Sequence, residues 1–361
     1  MVFIGDIAFP FSSVTGDTDW PWGSEQVVVA NLEGAIDTPD DAILQKKVVF
    51  NHPAVLRYLQ ALGVRAVSLA NNHVFDMGPS LASTRKQLAR EGIASVGAGS
   101  SLVHASRAVT VQTPQGPVQL MAFGWGPVEC PSATLHSPGV NPLEPTHVLE
   151  SIRRVLAEKP DVPVVLLMHW NYELERYPQP AHRQLAFAAI DAGASGVMGC
   201  HSHRVEGVEW YNGAPVVYGL GNWFFPHGIY FGGRTSFPDV SLLRMAFEWT
   251  PGASEAHVHW FTYQPDGHTL TYCESEETRA DAPPAGASRL SRHTPYAGLS
   301  HKAYVSFFSR KRVKRKLLPI YRDIEAHAAN RLRDTWVRTR GQLINMALKI
   351  GLKSGARSEV S

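Results

Sequence analysis

The sequence predicts an α/β fold, a four-layer α/β/β/α sandwich of two mixed sheets packed face to face with helices outside. Three observations carry this. Apolar strand-like runs alternate with helical patterns from Val2 to about Met198. From Val205 onward, strand-like runs follow one another with no helix between them. The early runs, Val162–Met168 above all, are continuously apolar, as strands buried on both faces are. Alternating βα units ask for parallel strands, a strand-only block adds antiparallel ones, and two stacked sheets accommodate both.

The elements follow in order. Val2–Ile4 is a short strand closed by Gly5-Asp6, and Pro10–Gly23 is a loop rich in Gly, Pro, Ser and Asp. Val27–Ala30 is a second strand, followed by Asn31-Leu32-Glu33. Val55, Leu56, Leu59 and Leu62 share one helical face, with Asn51 as the expected N-cap and Gly63 as the C-terminal glycine. Strand Ala66–Leu69 delivers Asn71-Asn72-His73, a helix spans about Ser80 to Arg90, and strand Ile93–Val96 follows. Ala108–Gln112 and Val118–Phe123 flank a turn, and residues 125–146 read as a long irregular surface loop. Helix His147–Glu158 leads to Val162–Met168, which ends in His169-Trp170. Helix His182–Ala192 leads to Ser195–Met198 and the His201 and His203 loop. Five strands come next: Val205–Tyr211, Pro215–Tyr218, Val240–Glu248, His257–Tyr263 and Thr269–Glu274. Asn212-Gly213 is the hairpin turn between the first two.

Charge divides the chain. Residues 301–361 hold 15 Lys and Arg against 4 Asp and Glu, while residues 1–300 hold 19 against 28. The expected organisation is a domain at 1–278, a Pro/Gly/Ala-rich linker at 279–300 and a basic tail at 301–361. In the tail Leu317, Tyr321, Ile324, Ala328, Leu332, Trp336, Leu343, Met346 and Ile350 recur at helical spacing, with Pro319 limiting the first helix. The tail has three readings: a helix folded back on the acidic body, a helix lying on a membrane surface or partner protein, and a nucleic-acid contact. The last is least favoured, because no reading element accompanies the charge.

A hydrophobic share of 44% is that of an ordinary globular chain, and no run reaches the ~18 apolar residues of a membrane span. Cys130, Cys200 and Cys273 make no CxxC pattern and no disulfide framework, which suits a reducing compartment. Met1–Ile4 runs into Gly5-Asp6 without a signal core. Together these read as a cytoplasmic protein, peripheral at most to the membrane. Cys200, between Gly199 and His201, reads as a buried small hydrophobe rather than a nucleophile.

The chemistry gathers at strand ends. Asp6 follows the first strand, Glu33 the second, Asn72 and His73 the third, His169 a later one, and His201 and His203 the last. Carboxylate, amide oxygen and imidazole form the ligand set of a divalent-metal site. Histidines at i and i+2 on an extended loop suit two neighbouring ions better than one. Asn71 is expected to be a left-handed turn residue. Trp170, Tyr172 and Trp223 read as pocket wall, Asn222 as a donor behind the ligands, and Glu173 either as such a partner or as a solvated loop charge.

In this order the residues resemble the calcineurin-like metallophosphoesterases. The chain is more closely similar to the poly-γ-glutamate capsule biosynthesis family, CapA. The resemblance rests on Gly5-Asp6, Asn31-Leu32-Glu33, Ala70–Gly78, His169-Trp170, Gly193–His203 and Leu220-Gly221-Asn222. It implies a metallophosphoesterase-like fold and two divalent ions, drawn from Mn, Fe, Zn or Mg. Glu33 would bridge them, with Asp6 and His203 on one ion and Asn72, His169 and His201 on the other. His73, oriented by Asp76, would be the general acid. Ala8 stands where the phosphoesterase pattern has a His, so one position is expected to be poorer in ligands, weak or empty. The chain also reads as lacking the family's usual N-terminal membrane anchor.

The function implied is a metal-dependent hydrolase acting on a phosphoester or on an amide or peptide-like bond. The substrate would be a small molecule, a peptide or a polymer, chosen by loops at 10–24, 125–146 and 225–238. One alternative is a metal-independent peptide epimerase on the same scaffold, with Asp6 and His203 as an acid–base pair facing each other across the substrate. The other is a non-catalytic module of a polymer-synthesis complex.

Overall fold

In the computed structural model two sheets lie face to face, and the structure describes residues 1–13, 20–40, 43, 46, 48–282, 288–313 and 317–349. The first sheet runs, strand by strand, Thr269–Arg279, Glu255–Gln264, Leu243–Trp249, Val2–Ile7, Val28–Leu32, Val64–Ser68 and Ala94–Val96, with Asn222–Phe224 also pairing Val2–Ile7. Val2–Ile7 and the next three strands in this order are parallel neighbours, and the three strands on its other flank pair antiparallel. The second sheet runs Val208–Tyr211, Ala214–Val217, Gly196–Cys200, Val164–His169, Gly116–Gly124 and Val109–Thr113, parallel in its centre.

Period-two alternation divides the second sheet between two cores. Leu120, Ala122, Val165, Leu167 and Met198 join the core shared with the first sheet. Their neighbours Met121, Phe123, Val164, Leu166, Met168 and Val197 pack outward, against helices Pro145–Glu158 and Pro180–Asp191. Helices Val55–Ala61 and Leu81–Arg90 cover the outer face of the first sheet. The four-layer arrangement expected from the sequence is therefore present.

Several expectations need correction. Asn51 does not cap a helix. It sits in the short strand Phe50–Asn51, paired with Ala35–Ile36, and helix Val55–Ala61 begins after Ala54 with no side-chain cap. The Asn51 side chain instead accepts from Phe9 N at 2.9 Å and donates to Glu33 O at 2.9 Å, tying two site-bearing loops together. Residues 125–146 are not a loose surface loop. Gly139–Val140 pairs with Ala98–Gly99, and Trp125, Cys130, Ala133, Val140, Asn141 and Leu143 are buried.

The basic region packs on the body. Helix His301–Lys311, which the periodicity from Leu317 onward does not foreshadow, buries Tyr304 and Phe308. Leu318, Tyr321 and Ile324, in the irregular stretch around Pro319, and Val337 of helix His327–Lys349 join the same outer core. Residues 288–300, inside the expected linker, hold helix Arg289–His293 and bury Leu290 and Tyr296. Of the linker and tail, 283–287, 314–316 and 350–361, Ile350 included, lie outside the described residues. No helix of the described residues is long and apolar enough to cross a membrane.

Candidate metal centre

Parallel strands from both sheets end at the same edge, so groups far apart in sequence meet there. Asp6 lies at the end of Val2–Ile7 and Glu33 just past Val28–Leu32. Asn72 and His73 follow Val64–Ser68, His169 closes Val164–His169, and His201 and His203 follow Gly196–Cys200. Asp6 and Glu33 are fully buried, and His73, His169, His201 and His203 are at most 9% exposed.

Local backbone aims these groups. Pairing between Val2–Ile7 and Val28–Leu32 shifts register between Ile4 and Asp6, the mark of a bulge that re-aims a side chain. Gly5 stands at that shift, and a β-carbon there would overlap the carbonyl oxygen of Gly221. His201 and His203 have φ of 89° and 54°, in the left-handed region that costs a non-glycine residue roughly 1–3 kcal/mol. Glu129, Asn171 and Leu174, on neighbouring loops, are also left-handed. Strain gathers around this edge of the molecule.

Hydrogen bonds fix the groups relative to one another. Asn31 Nδ2 donates to Asp6 Oδ1 at 2.8 Å, and the His201 amide donates to Asp6 Oδ2 at 3.3 Å. His203 Nδ1 pairs with Asn222 Oδ1 at 2.8 Å, which leaves Nε2 facing Glu33 Oε1 at 3.9 Å. His169 Nε2 and Asn72 Oδ1 are 2.9 Å apart, and the His169 and His201 rings lie 4.6 Å apart. His73 Nδ1 pairs with Asp76 Oδ2 at 2.6 Å and presents Nε2 3.8 Å from Glu33 Oε1. Asp76 is itself held by the Val49 amide at 2.9 Å.

Ligand-type atoms form two overlapping groups, Asp6–Glu33–His203 and Glu33–His169–His201, each within 4.8 Å. Glu33 belongs to both. Neither of its carboxylate oxygens has a hydrogen-bond partner among the described residues, and both are buried. Burial pushes its carboxyl well above the usual carboxylate range, with Asp6 and Glu173 adding to the effect. Burial likewise raises Asp6 to about 6, and it pulls His203 down to about 3 and His169 well below the ordinary imidazole value. Two carboxylates and three imidazoles gathered in one buried spot, with both Glu33 oxygens lacking a donor among the described residues, form an arrangement that a divalent cation would offset. The donor set fits such an ion.

The other residues singled out in the sequence fall into place around it. Asn71 is not left-handed. Its amide donates to Leu32 O at 2.8 Å and its oxygen accepts from His73 N at 3.2 Å, joining three of the loops. Trp170 is fully buried behind His169, donating Nε1–H to Tyr218 O and stacking on His182. Asn222 meets His203 through its side-chain oxygen, as an acceptor rather than the donor the sequence suggests, and Glu173 lines the cleft. Burial pushes the Cys200 thiol far above its ordinary range, which leaves it a neutral neighbour of Asp6 and a poor nucleophile.

Some contributors escaped the sequence. Arg244 is fully buried, its guanidinium 4.9 Å from the Tyr263 ring centre and electrostatically coupled to Asp6. Burial pulls it down to about 9. Its one signal was a lone cation in the apolar run Leu242–Phe247. Phe225 and Phe237 flank the His203 ring at 5.4 and 5.0 Å, and Ala8 packs in the same apolar cluster. The side of the Asp6–Glu33–His203 group where the phosphoesterase pattern has a histidine is thus apolar.

Beside the His73 and His201 side opens a cleft of about 470 Å³. Gly126–Cys130, Tyr172 and Glu173 line it, and so do Val337, Arg338, Arg340, Gly341 and Gln342 of the last helix. The basic helix is a wall of the candidate site.

Comparison with known proteins agrees with the motifs. The family model described as bacterial capsule synthesis protein PGA_cap matches residues 6–227. The PGA biosynthesis protein CapA of Bacillus subtilis is 34% identical over 176 residues, covering 48% of this chain and 46% of that one. A probable polyglutamine synthesis accessory protein of Mycobacterium tuberculosis is 33% identical over 226 residues, covering 57% of this chain and 60% of that one. The chain therefore spans between 46% and 60% of the length of these two relatives. A 5′-nucleotidase precursor from Thermus thermophilus overlays loosely, with a TM-score of 0.39 at 14% identity over 77% of this chain and 54% of that one.

Proposed function

Since the chain belongs to the bacterial capsule synthesis protein PGA_cap family, we propose that it is a metal-dependent hydrolase acting on a phosphoester or on an amide or peptide-like bond. One observation carries this: Glu33, buried with both oxygens lacking a hydrogen-bond partner, is shared by two groups of ligand-type atoms. Only a carboxylate offers one oxygen to each of two close cations. Asp6, Glu33 and His203 would hold one divalent ion, and Glu33, Asn72, His169 and His201 the other. The apolar surroundings of Ala8 and Phe237 make the first the weaker position. Mn, Fe, Zn and Mg all accept such ligands. When bound, a close pair of ions supplies Lewis acidity toward a phosphoryl or carbonyl oxygen and lowers the pKa of water.

The chain's own residues do the rest. Asn31 and the His201 amide hold the Asp6 carboxylate in place. Asn222 accepts the Nδ1 proton of His203 and so commits its Nε2 lone pair to the site. Asp76 likewise accepts the Nδ1 proton of His73 and so fixes its ring, and the ring when protonated on both nitrogens would hand the Nε2 proton, which faces the cleft, to the departing oxygen or nitrogen.

Geometry disfavours the epimerase alternative. The pair would need Asp6 and His203 on opposite faces of a substrate carbon, whereas the His203 nitrogen nearest Asp6, Nδ1 at 3.5 Å from Oδ2, is engaged by Asn222 and presents no base there. A second reading, a non-catalytic accessory of polymer synthesis, draws support from the name of the Mycobacterium tuberculosis relative.

Metal analysis of the full chain, purified without chelators, tests the proposal. About two ions per chain are expected at saturation. Glu33→Gln would lose both, and His169→Ala would spare the Asp6 position. Undiminished metal content in Glu33→Gln, or hydrolysis by metal-free protein, would overturn the mechanism. Full metal content with no turnover on any phosphoester or amide panel would favour the accessory reading.

A further inference from the structure

Helix His327–Lys349 lies beyond the matched family segment and is docked on one side only. Val337 is buried against the body, Tyr321 donates its hydroxyl to Asp334 Oδ1 at 2.6 Å, and Asn330 Nδ2 donates to Asp323 O at 2.8 Å. Among the described residues the other side meets only Leu317. Leu332, Trp336, Leu343 and Met346 are exposed by 73, 50, 62 and 60%. At 100° per residue these four fall within an arc of roughly 80°, on the side away from Val337 and Gly341. Trp336 Nε1 donates to Leu317 O at 2.7 Å, so Leu317, itself 61% exposed, extends the stripe.

The same geometry places the charges. Arg333 and Arg340 border the stripe on one side, Arg331 and Arg338 on the other. The helix has one acid, Asp334, and it points toward the body, bonded to Tyr321. An apolar stripe that carries Trp, flanked on both sides by Arg, suits the interface of a bilayer. We propose that this face docks in the plane of a membrane surface bearing anionic lipids, with Leu332, Trp336, Leu343 and Met346 inserted and the four arginines on the headgroups.

Charge selects this occupant. Two copies stacked stripe to stripe would bring four arginines against four, with no acid on that face to offset them. An anionic lipid surface supplies the missing charge, and the region's 15 basic against 4 acidic residues strengthens the attraction. Arg338 and Arg340 also line the cleft, so docking would set the cleft beside the lipid surface. None of this depends on the metal reading.

Co-sedimentation of the full chain with vesicles decides the matter. Phosphatidylcholine vesicles containing phosphatidylglycerol should retain the protein at low salt and release it at high salt, while pure phosphatidylcholine should retain little. The triple variant Leu332→Ser, Leu343→Ser, Met346→Ser changes only exposed side chains, so its melting temperature should be unchanged and its partitioning should fall at least about tenfold. No binding to the anionic vesicles, or undiminished binding by the triple variant, overturns the proposal. So does a concentration-dependent dimer in light scattering that the triple variant abolishes, since a second copy would then cover the stripe.

Discussion

A φ of 89° at His201 is a conformation that a β-carbon resists, and it occurs at an imidazole proposed as a metal ligand. Replacing the ring separates the two contributions. His201→Ala loses the imidazole and keeps the strain, while His201→Gly loses both. In chelator-treated protein the glycine variant should therefore be the more stable by about 1 kcal/mol, measured by urea unfolding. Equal stabilities would mean that the backbone there is unstrained. Glu33 makes a matching case. Its buried carboxyl is held far above the usual range by burial and by Asp6, so the folded chain carries an electrostatic penalty unless a cation offsets it. Glu33→Gln should leave the metal-free protein as stable as the wild type or more so, and should abolish any rise in Tm on adding Mn²⁺ or Zn²⁺. Differential scanning fluorimetry with and without EDTA reads both outcomes.

Single elements set the tolerance at the centre of the first sheet. Val2–Ile7 is pressed between Val28–Leu32 and Asn222–Phe224, and its pairing places Asp6 opposite Asn222. Gly5 lets the Gly221 carbonyl come close enough for that register. Gly5→Ala must push the two strands apart, and should cost at least about 2–3 kcal/mol and displace Asn222 from His203. Circular-dichroism melts would show the loss, and wild-type stability would refute it. Such elements were also the most legible ones in the sequence. Val164–His169 and Gly196–Cys200 are buried on both faces, and continuous apolar runs leading into histidine announce that. Asp6, Glu33, His169 and His203 could be picked out because each follows such a run. Arg244, Phe225 and Phe237 could not, since their places depend on strand register and on a loop that folds over the site. The 125–146 segment reads as loop in the sequence for a similar reason. Its Pro and Gly content looks like loop, but its burial comes from pairing with residues distant in sequence. For helix His327–Lys349 the periodicity was legible and its direction was not, because the apolar stripe faces outward.

At the scale of the whole molecule, the basic region is part of the structure that covers the second sheet. Tyr304 lies over Arg183 at 4.8 Å, and Arg183 in turn makes a buried pair with Glu209 at 2.6 and 2.8 Å. Removing 301–361 would expose that pair and strip Tyr304, Phe308, Tyr321 and Ile324 from the outer core. Each is worth roughly 1.5–3 kcal/mol of burial, against a net stability of about 5–15 kcal/mol for a domain. The truncated chain should lose its cooperative melt, and an unchanged Tm would mean that the region is dispensable. The same seam contributes to the response to acid. His182 is buried with its ring 4.5 Å from Trp125 and stacked on Trp170, and Trp125 in turn meets Tyr321 of the basic region. Burial alone pulls His182 from its ordinary value near 6.5 down to about 3. With the folded value depressed, the unfolded chain takes up the proton first. The contribution of His182 is therefore intact above pH 6.5 and lost as pH falls from 6.5 toward 3, by at most about 1.4 kcal/mol per pH unit. His182→Phe keeps the aromatic packing and removes the titration. Urea unfolding between about pH 7 and pH 4.5 should then give a flatter stability profile for the variant than for the wild type, and parallel profiles would show that His182 is accommodated in its charged form.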